Sequence, residues 1–186
     1  TVTIDGSNNL VYTSAYDVTS PYTPATETFT YTIKDGDGDT TTATFTVQLT
    51  DGGPSITPAA ASIAADEDDI SAAGNAGGTG DLAAESLTGV LAGLNFGPDG
   101  PGDLVLSTSS DIGFNTLAGN AIKTVWDGAT HTLTGEDSVT GADVFTLTIT
   151  NVATGAYTFD LLAPVQHTVA GTEDDKTFNV TVTVTD

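Results

Sequence analysis

The chain has 186 residues, with 25 Asp and Glu against 3 basic residues, all of them lysine, and a formal charge of −22. Such an acidic excess excludes nucleic acid and anionic membrane surfaces as partners, while a hydrophobic content of 38% is too high for a disordered acidic tail. Cysteine is absent, which excludes disulfides and thiolate metal centres, and no apolar run is long enough to insert across a membrane.

Taken in order, Thr1–Ile4 (TVTI) and Leu10–Ser14 (LVYTS) are short strands separated by the turn residues Asp5-Gly6-Ser7-Asn8-Asn9. After a loop holding Pro21 and Pro24, two longer runs have a period of two: Thr28–Lys34 (TFTYTIK) and Thr40–Leu49 (TTTATFTVQL). Phe29, Tyr31 and Ile33 share one face, as do Ala43, Phe45, Val47 and Leu49, with threonines opposite. That pattern predicts a hairpin of half-buried strands. Its loop is Asp35-Gly36-Asp37-Gly38-Asp39. Glycines let it turn tightly, and carboxylates at every second position converge on one point. Lys34 is the only base nearby in sequence, so the natural relief of their repulsion is a hard, oxygen-seeking cation. Ca²⁺ suits a flexible all-oxygen loop better than Mg²⁺; the plainer reading is a solvated polar turn. The spacing is EF-hand-like, but Thr40 stands where that loop needs Gly and Thr46 where it needs a bidentate Glu, which rules an EF-hand out.

Asp51-Gly52-Gly53-Pro54 breaks the strand pattern and marks a domain boundary, with residues 52–55 as linker. Beyond it lies an alanine-rich stretch, Ala59–Ala65, and then the acidic run Asp66-Glu67-Asp68-Asp69, either a solvated loop or a metal-ligating cluster beside the boundary. Gly74–Gly80 reads as a flexible loop. In Ser86–Phe96 (SLTGVLAGLNF), Leu87, Val90, Leu91 and Leu94 would line a helix, but Gly89 and Gly93 weaken it, and a strand is expected. Gly97–Asp103 is a turn. Strands follow at Leu104–Ser107, Ala121–Trp126, His131–Thr134, Val144–Thr150, Ala156–Leu162 and Thr177–Val184, with Asp127-Gly128 as a tight-hairpin dipeptide. Many short strands punctuated by Gly, Asp and Pro predict an all-β sandwich. His131 and His167 are far apart in sequence and have no Cys partners, so no zinc centre is expected. Trp126 reads as core or as cover for a sheet edge. With no G-x-S-x-G and no phosphate-cradling loop ahead of a helix, no enzyme is expected.

Three segments recur in the same order. TVTI (Thr1–Ile4) matches TLTI (Thr146–Ile149), LVYTS (Leu10–Ser14) matches AYTFD (Ala156–Asp160), and TETFTYTIKD (Thr26–Asp35) matches TFNVTVTVTD (Thr177–Asp186). In the third match Phe29, Tyr31 and Ile33 align with Val180, Val182 and Val184. Repetition at this scale predicts domains strung like beads. Residues 1–51 are then the C-terminal part of one repeat, and 56–186 a second, larger repeat lacking its last hairpin.

Through GLNFGPDGPGDLVLS (Gly93–Ser107), GAYTFDLLAPVQH (Gly155–His167) and the FTYTIKDGDGDTTTATFTVQLTD hairpin, the chain resembles the tandem immunoglobulin-like repeats of giant type I-secreted RTX adhesins. Biofilm-associated proteins of Gram-negative bacteria belong to that group. The resemblance implies an all-β fold of immunoglobulin-like β-sandwich repeats in tandem. It also implies an extracellular stalk at the cell surface that supports adhesion and biofilm formation, stiffened by Ca²⁺ at loops and linkers. Its partners would be the neighbouring repeats of the same polypeptide. By that likeness the metal ligands are Asp35, Asp37 and Asp39, with Asp51 at the linker and Asp66, Glu67, Asp68 and Asp69 near the junction. The other function that fits is a Ca²⁺-dependent module of such an adhesin that binds a surface glycan or another cell-surface ligand. Trp126 and the Gly97–Asp103 loop would form its surface.

Overall fold

Threonine and β-branched residues at alternating positions make strands wherever the chain is regular. The computed structural model describes residues 1–7, 9–13, 25–49, 52–57, 62–67, 70, 84–98, 100–167 and 175–185. Among them are thirteen β-strands: β1 (Val2–Ile4), β2 (Leu10–Tyr12), β3 (Ala25–Lys34), β4 (Thr40–Leu49), β5 (Ser55–Ile56), β6 (Glu85–Val90), β7 (Leu94–Asn95), β8 (Asp103–Thr108), β9 (Ile122–Asp127), β10 (Thr132–Asp137), β11 (Asp143–Asn151), β12 (Ala156–Leu161) and β13 (Val180–Thr185). The chain divides into two units, residues 1–53 with 97–99, and residues 54–96 with 100–186.

In the first unit β1 pairs with β2 and β3 with β4, each antiparallel. The β3–β4 ladder runs unbroken from Lys34↔Thr40 to Ala25↔Leu49. Its apolar face is held by aromatic rings: Phe29 stacks on Phe45 at 5.3 Å, and Tyr12 meets Phe29 edge-on at 5.8 Å. The expected half-buried face extends only part of the way. Phe29, Phe45, Val47 and Leu49 are half-buried, whereas Tyr31 and Ile33 are 46% and 57% exposed. Tyr12 reaches Phe29, and among the described residues none covers the half of the hairpin nearer its loop.

The second unit is a sandwich. Five antiparallel strands form one sheet in the order β6-β12-β11-β10-β9, and β8 pairs with β13 in another. Leu104 and Leu106 of β8 pack with Leu133, Phe145, Leu147, Ile149, Tyr157 and Phe159 in one core. The inward valines of β13 (Val180, Val182 and Val184) pack against that core but remain half-buried. A short hydroxyl contact, Thr108 Oγ1 to Thr124 Oγ1 at 2.6 Å, joins β8 to β9. Trp126 on the edge strand β9 is half-buried against the core, with the His131 ring edge-on at 6.2 Å.

The strand expected across Ser86–Phe96 is two. β6 ends at Val90, and a turn with Gly93 at φ 78° precedes β7, which pairs with β5. The strand expected from His131 starts at Thr132, because His131 itself turns at φ 51°. The loop after Asp127 is therefore four residues long. The hairpin pair of the first unit has its counterpart in the second: Val2↔Tyr12 and Ile4↔Leu10 correspond to Leu147↔Phe159 and Ile149↔Tyr157. Leu10 thus takes the place of Tyr157, one residue away from the segment match, which paired Leu10 with Ala156.

Two features of the large sheet depend on single residues. Opposite Gly135↔Phe145 the register skips Val144, and this bulge lets Val144 and Phe145 both enter the core. Gly135 leaves room for the Phe145 ring, which a Cβ would strike, just as Gly89 makes room for the Tyr157 ring across β6–β12. Asp137, at the end of β10, is 6% exposed. Its Oδ1 accepts the amides of Val139 (2.8 Å) and Thr140 (2.9 Å), and its Oδ2 accepts Thr116 Oγ1 (3.1 Å) and Asn120 Nδ2 (3.0 Å). One carboxylate thereby ties the β10–β11 turn to the loop between β8 and β9. The Asn120 amide, then the Thr140 and Val139 amides, hold this carboxyl far below its usual value near 3.8, against the opposing pull of dehydration.

Gly135→Ala is expected to destabilise the second unit by about 1–3 kcal/mol, the usual cost of overpacking a core. Thermal melts of a double-mutant cycle check the cause: adding Phe145→Ala, which makes space for the new methyl, should leave less than the sum of the two single losses. A carboxyl lowered in the folded state adds stability that is present above pH 3.8 and fades as pH falls below it. Asp137→Asn is therefore expected to lower the melting temperature at neutral pH and to flatten the loss of stability below about pH 4. Parallel acid slopes in the two proteins, measured by denaturant unfolding, would assign that loss to other carboxylates.

Candidate metal-binding site

The ladder of β3 and β4 brings Lys34 and Thr40 opposite each other, so only five residues remain to turn the chain. Asp35 closes that loop. Its backbone amide donates to Asp39 O at 3.0 Å, and its Oδ1 accepts the amides of Gly38 (3.0 Å) and Asp39 (2.8 Å). Gly38 takes φ 109°, a conformation that side chains resist. The bond from Asp35 to its own turn fixes where the next two acids emerge. Asp35, Asp37 and Asp39 each offer a carboxylate oxygen within 4.8 Å of the others, and all three are exposed.

Oxygens on opposite sides of one Ca²⁺ stand roughly 4.6–5.2 Å apart, twice the usual Ca–O distance. The three carboxylates fit inside that span, and their all-oxygen donor set is the chemistry Ca²⁺ takes. The Asp35 carboxyl is held below the ordinary carboxylate range by hydrogen bonding with the Asp37 carboxyl; partial dehydration opposes this, and the amides of Asp39, Gly38 and Asp37 reinforce it. It therefore stays ionised as pH falls toward that range. Ile33, Thr40 and Thr41 line a shallow open depression beside Asp35 and Asp39.

The other acids named from sequence are placed differently. Asp51, Asp68 and Asp69 lie outside the described residues. Asp66 is exposed, and its amide donates to Glu85 Oε2 at 2.5 Å. Glu67 is half-buried; its Oε1 accepts the Val165 amide at 2.8 Å, and its Oε2 meets His167 Nε2 at 3.0 Å. Asp35, Asp37 and Asp39 form the one group of three converging acidic or imidazole ligands among the described residues. Asp103, the last residue of the expected Gly97–Asp103 turn, is the first residue of β8; it accepts the Leu104 amide at 2.7 Å and contacts His131 Nε2 at 2.8 Å. Each histidine thus has a carboxylate, which sequence separations of 28 and 100 residues hide.

The loop acids repeat one device. Asp5 Oδ1 accepts the amides of Ser7 and Asn9, both at 2.8 Å, and these bonds hold its carboxyl low, the Asn9 amide first and its side chain next. Asp127 accepts the Ala129 amide at 2.8 Å and Thr130 Oγ1 at 3.0 Å, and is lowered by them in that order. Sequence reasoning saw these aspartates as turn formers without seeing that each is a cap. Asp5 and Asp127 each cap a turn with one carboxylate; the β3–β4 loop has two acids beyond the one that caps it.

Comparison with curated proteins and with solved structures gives no match for the chain. A family model described as a bacterial Ig domain matches residues 1–48, the span that holds β1 to β3, the acidic loop and all of β4 but its last residue. The protein is all-β, with an immunoglobulin-like β-sandwich fold, and its first 48 residues are similar to bacterial Ig domains.

Proposed function

We propose that this chain is an extender segment of a secreted bacterial cell-surface adhesin, a stalk made of immunoglobulin-like repeats and stiffened by Ca²⁺. The observation that carries the reading is the convergence of Asp35, Asp37 and Asp39 at the tip of a regular ten-pair hairpin. The likeness of residues 1–48 to bacterial Ig domains and the recurrence of the β1–β2 pair in β11–β12 support the repeat architecture. When bound, Ca²⁺ supplies positive charge that removes the repulsion between the three carboxylates and restrains the loop. Asp37 and Asp39 serve it directly. Asp35 serves it with the oxygen capacity left after its amide bonds, while those bonds hold the loop ready for the ion. Three exposed carboxylates without a deep enclosure give an affinity on the order of 10⁻⁴–10⁻³ M, the range of extracellular modules. Calcium of that order is found outside cells, and the acidic surface suits that setting. Neighbouring repeats of the same polypeptide are the partners in this reading. Trp126, half-buried against the core, favours the extender over a glycan-binding module, for which a stacking ring would have to stand free.

Calorimetric titration with Ca²⁺ is expected to give that affinity, and chelation is expected to lower the melting temperature by several degrees, with excess Ca²⁺ restoring it. A melt at low salt that ignores chelator would remove the proposal. Asp37→Ala is expected to abolish measurable binding. Asp160→Ala, which loses a carboxylate near Thr146 in the large sheet, is expected to leave binding intact. Equal losses in the two variants would mean diffuse counterion screening rather than a site.

A further inference from the structure

An aspartate followed by glycine can rearrange its own backbone, because a glycine amide approaches the preceding side chain with no Cβ in the way. The chain has six such pairs, and those at Asp5, Asp35, Asp37 and Asp127 lie among the described residues. The reaction joins two groups. The glycine amide nitrogen bonds to Cγ of the aspartate, and one carboxyl oxygen leaves as water with the amide proton and a second proton from the carboxyl group. A five-membered imide closes. Water then adds back to it: attack at the side-chain carbonyl restores aspartate, while attack at the main-chain carbonyl leaves isoaspartate, with the backbone running through Cβ and the mass unchanged.

The turn bonds restrain these two groups unequally. The Asp5 carboxylate accepts the Ser7 and Asn9 amides and the Asn9 side chain. That of Asp127 accepts the Ala129 amide and the Thr130 hydroxyl, and that of Asp35 the Gly38 and Asp39 amides. Each must give up at least two bonds before it can turn to the next glycine. The Asp37 carboxylate is exposed and, among the described residues, accepts no backbone amide at hydrogen-bonding distance. There the restraint falls on the attacking nitrogen instead, since the Gly38 amide donates to Asp35 Oδ1 at 3.0 Å. One bond stands in the way rather than two. We propose that Asp37-Gly38 is a modification site, where isoaspartate forms spontaneously whenever the Gly38 amide leaves Asp35. The product adds a methylene to the main chain of a five-residue loop and takes the carboxylate off its side chain, so the convergence of Asp35, Asp37 and Asp39 is lost. Asp35 thus guards its neighbour. The inference stands on bonding within the loop and needs neither calcium nor the adhesin reading.

The test incubates the full chain for weeks at neutral pH in chelator, so that no bound ion shields the loop and the outcome is separate from that of the calcium proposal. Peptide mapping locates isoaspartate, and hydrogen exchange reads the Gly38 amide. A bond to a charged acceptor is expected to slow Gly38 exchange by about tenfold. Asp37 should then isomerise about tenfold more slowly than in a free peptide of residues 33–41, yet faster than Asp5, Asp35 or Asp127. Asp35→Ala is expected to bring Asp37 to the rate of the peptide while the β3 and β4 amides stay protected. Asp39→Ala removes a carboxylate but keeps the Gly38 bond, and is expected to leave the rate at Asp37 unchanged. An unprotected Gly38 amide, isoaspartate appearing first at one of the other three residues, or equal acceleration in the two variants would overturn the inference. Should Asp35→Ala unravel the hairpin, Gly38 exchange and the order of reaction in the native chain still decide it.

Discussion

The bond that organises this molecule is an aspartate carboxylate accepting the amides of its own turn. It recurs at Asp5, Asp35, Asp127 and Asp137, where the strands reverse. An Asp side chain is short enough to reach back to amides two to four residues on, and its charge makes each of those bonds stronger than a neutral one. The arrangement solves two problems together. Amides that would point into empty turns are satisfied, and part of a large negative charge is balanced by backbone dipoles rather than by basic side chains, of which the chain has three. Lys123 forms an ion pair with Glu136 at 3.0 Å across β9 and β10. Amides therefore do much of the work that arginine does in other acidic proteins.

Amide capping has a limit, and the β3–β4 loop exceeds it. Five residues can offer only a few amides, and Asp35 takes those of Gly38 and Asp39. The carboxylates of Asp37 and Asp39 then stand beside it at a distance suited to a shared cation. The contrast with Asp137 is instructive. Asp137 is buried and fully engaged by Thr116, Asn120, Val139 and Thr140, and so has no capacity for an ion. Carboxylate density alone does not separate these cases. What separates them is whether the acids outnumber the donors within reach.

Local pattern carried most of the fold and little of its closure. The period of two located nearly every long strand, and β4 has the bounds read from TTTATFTVQL. Gly89 argued correctly against a helix, for a reason visible only in three dimensions: the Tyr157 ring crosses the place where a side chain would stand. The bulge at Val144 was not legible, because a one-residue slip leaves the apolar pattern of β11 nearly unchanged. The Asp137 knot was missed because Thr116 and Asn120 lie 21 and 17 residues away. The acidic run beginning at Asp66 looked uniform as text, yet Glu67 turns to Val165 and His167 across 100 residues of sequence. The convergence of Asp35, Asp37 and Asp39, by contrast, was readable, since that loop lies between two adjacent strands, although the capping role of Asp35 was not.

Exposure along β3 and β13 follows from the same logic of neighbours. A strand face is buried by what lies across the sandwich and beside it, and alternation shows only which face is ready for burial. β8 lies between the closed part of its unit and β13, so Leu104 and Leu106 lose all contact with water. β13 has its inward residues over the same core but, among the described residues, no second neighbouring strand, and they stay half-covered. In β3 the step is sharper, since Phe29 lies between Tyr12 and Phe45 while Ile33, four residues on, is mostly in solvent. An immunoglobulin-like sandwich closes its core strand by strand. One constraint thus governs both units: no single strand of this chain can cover its own apolar face.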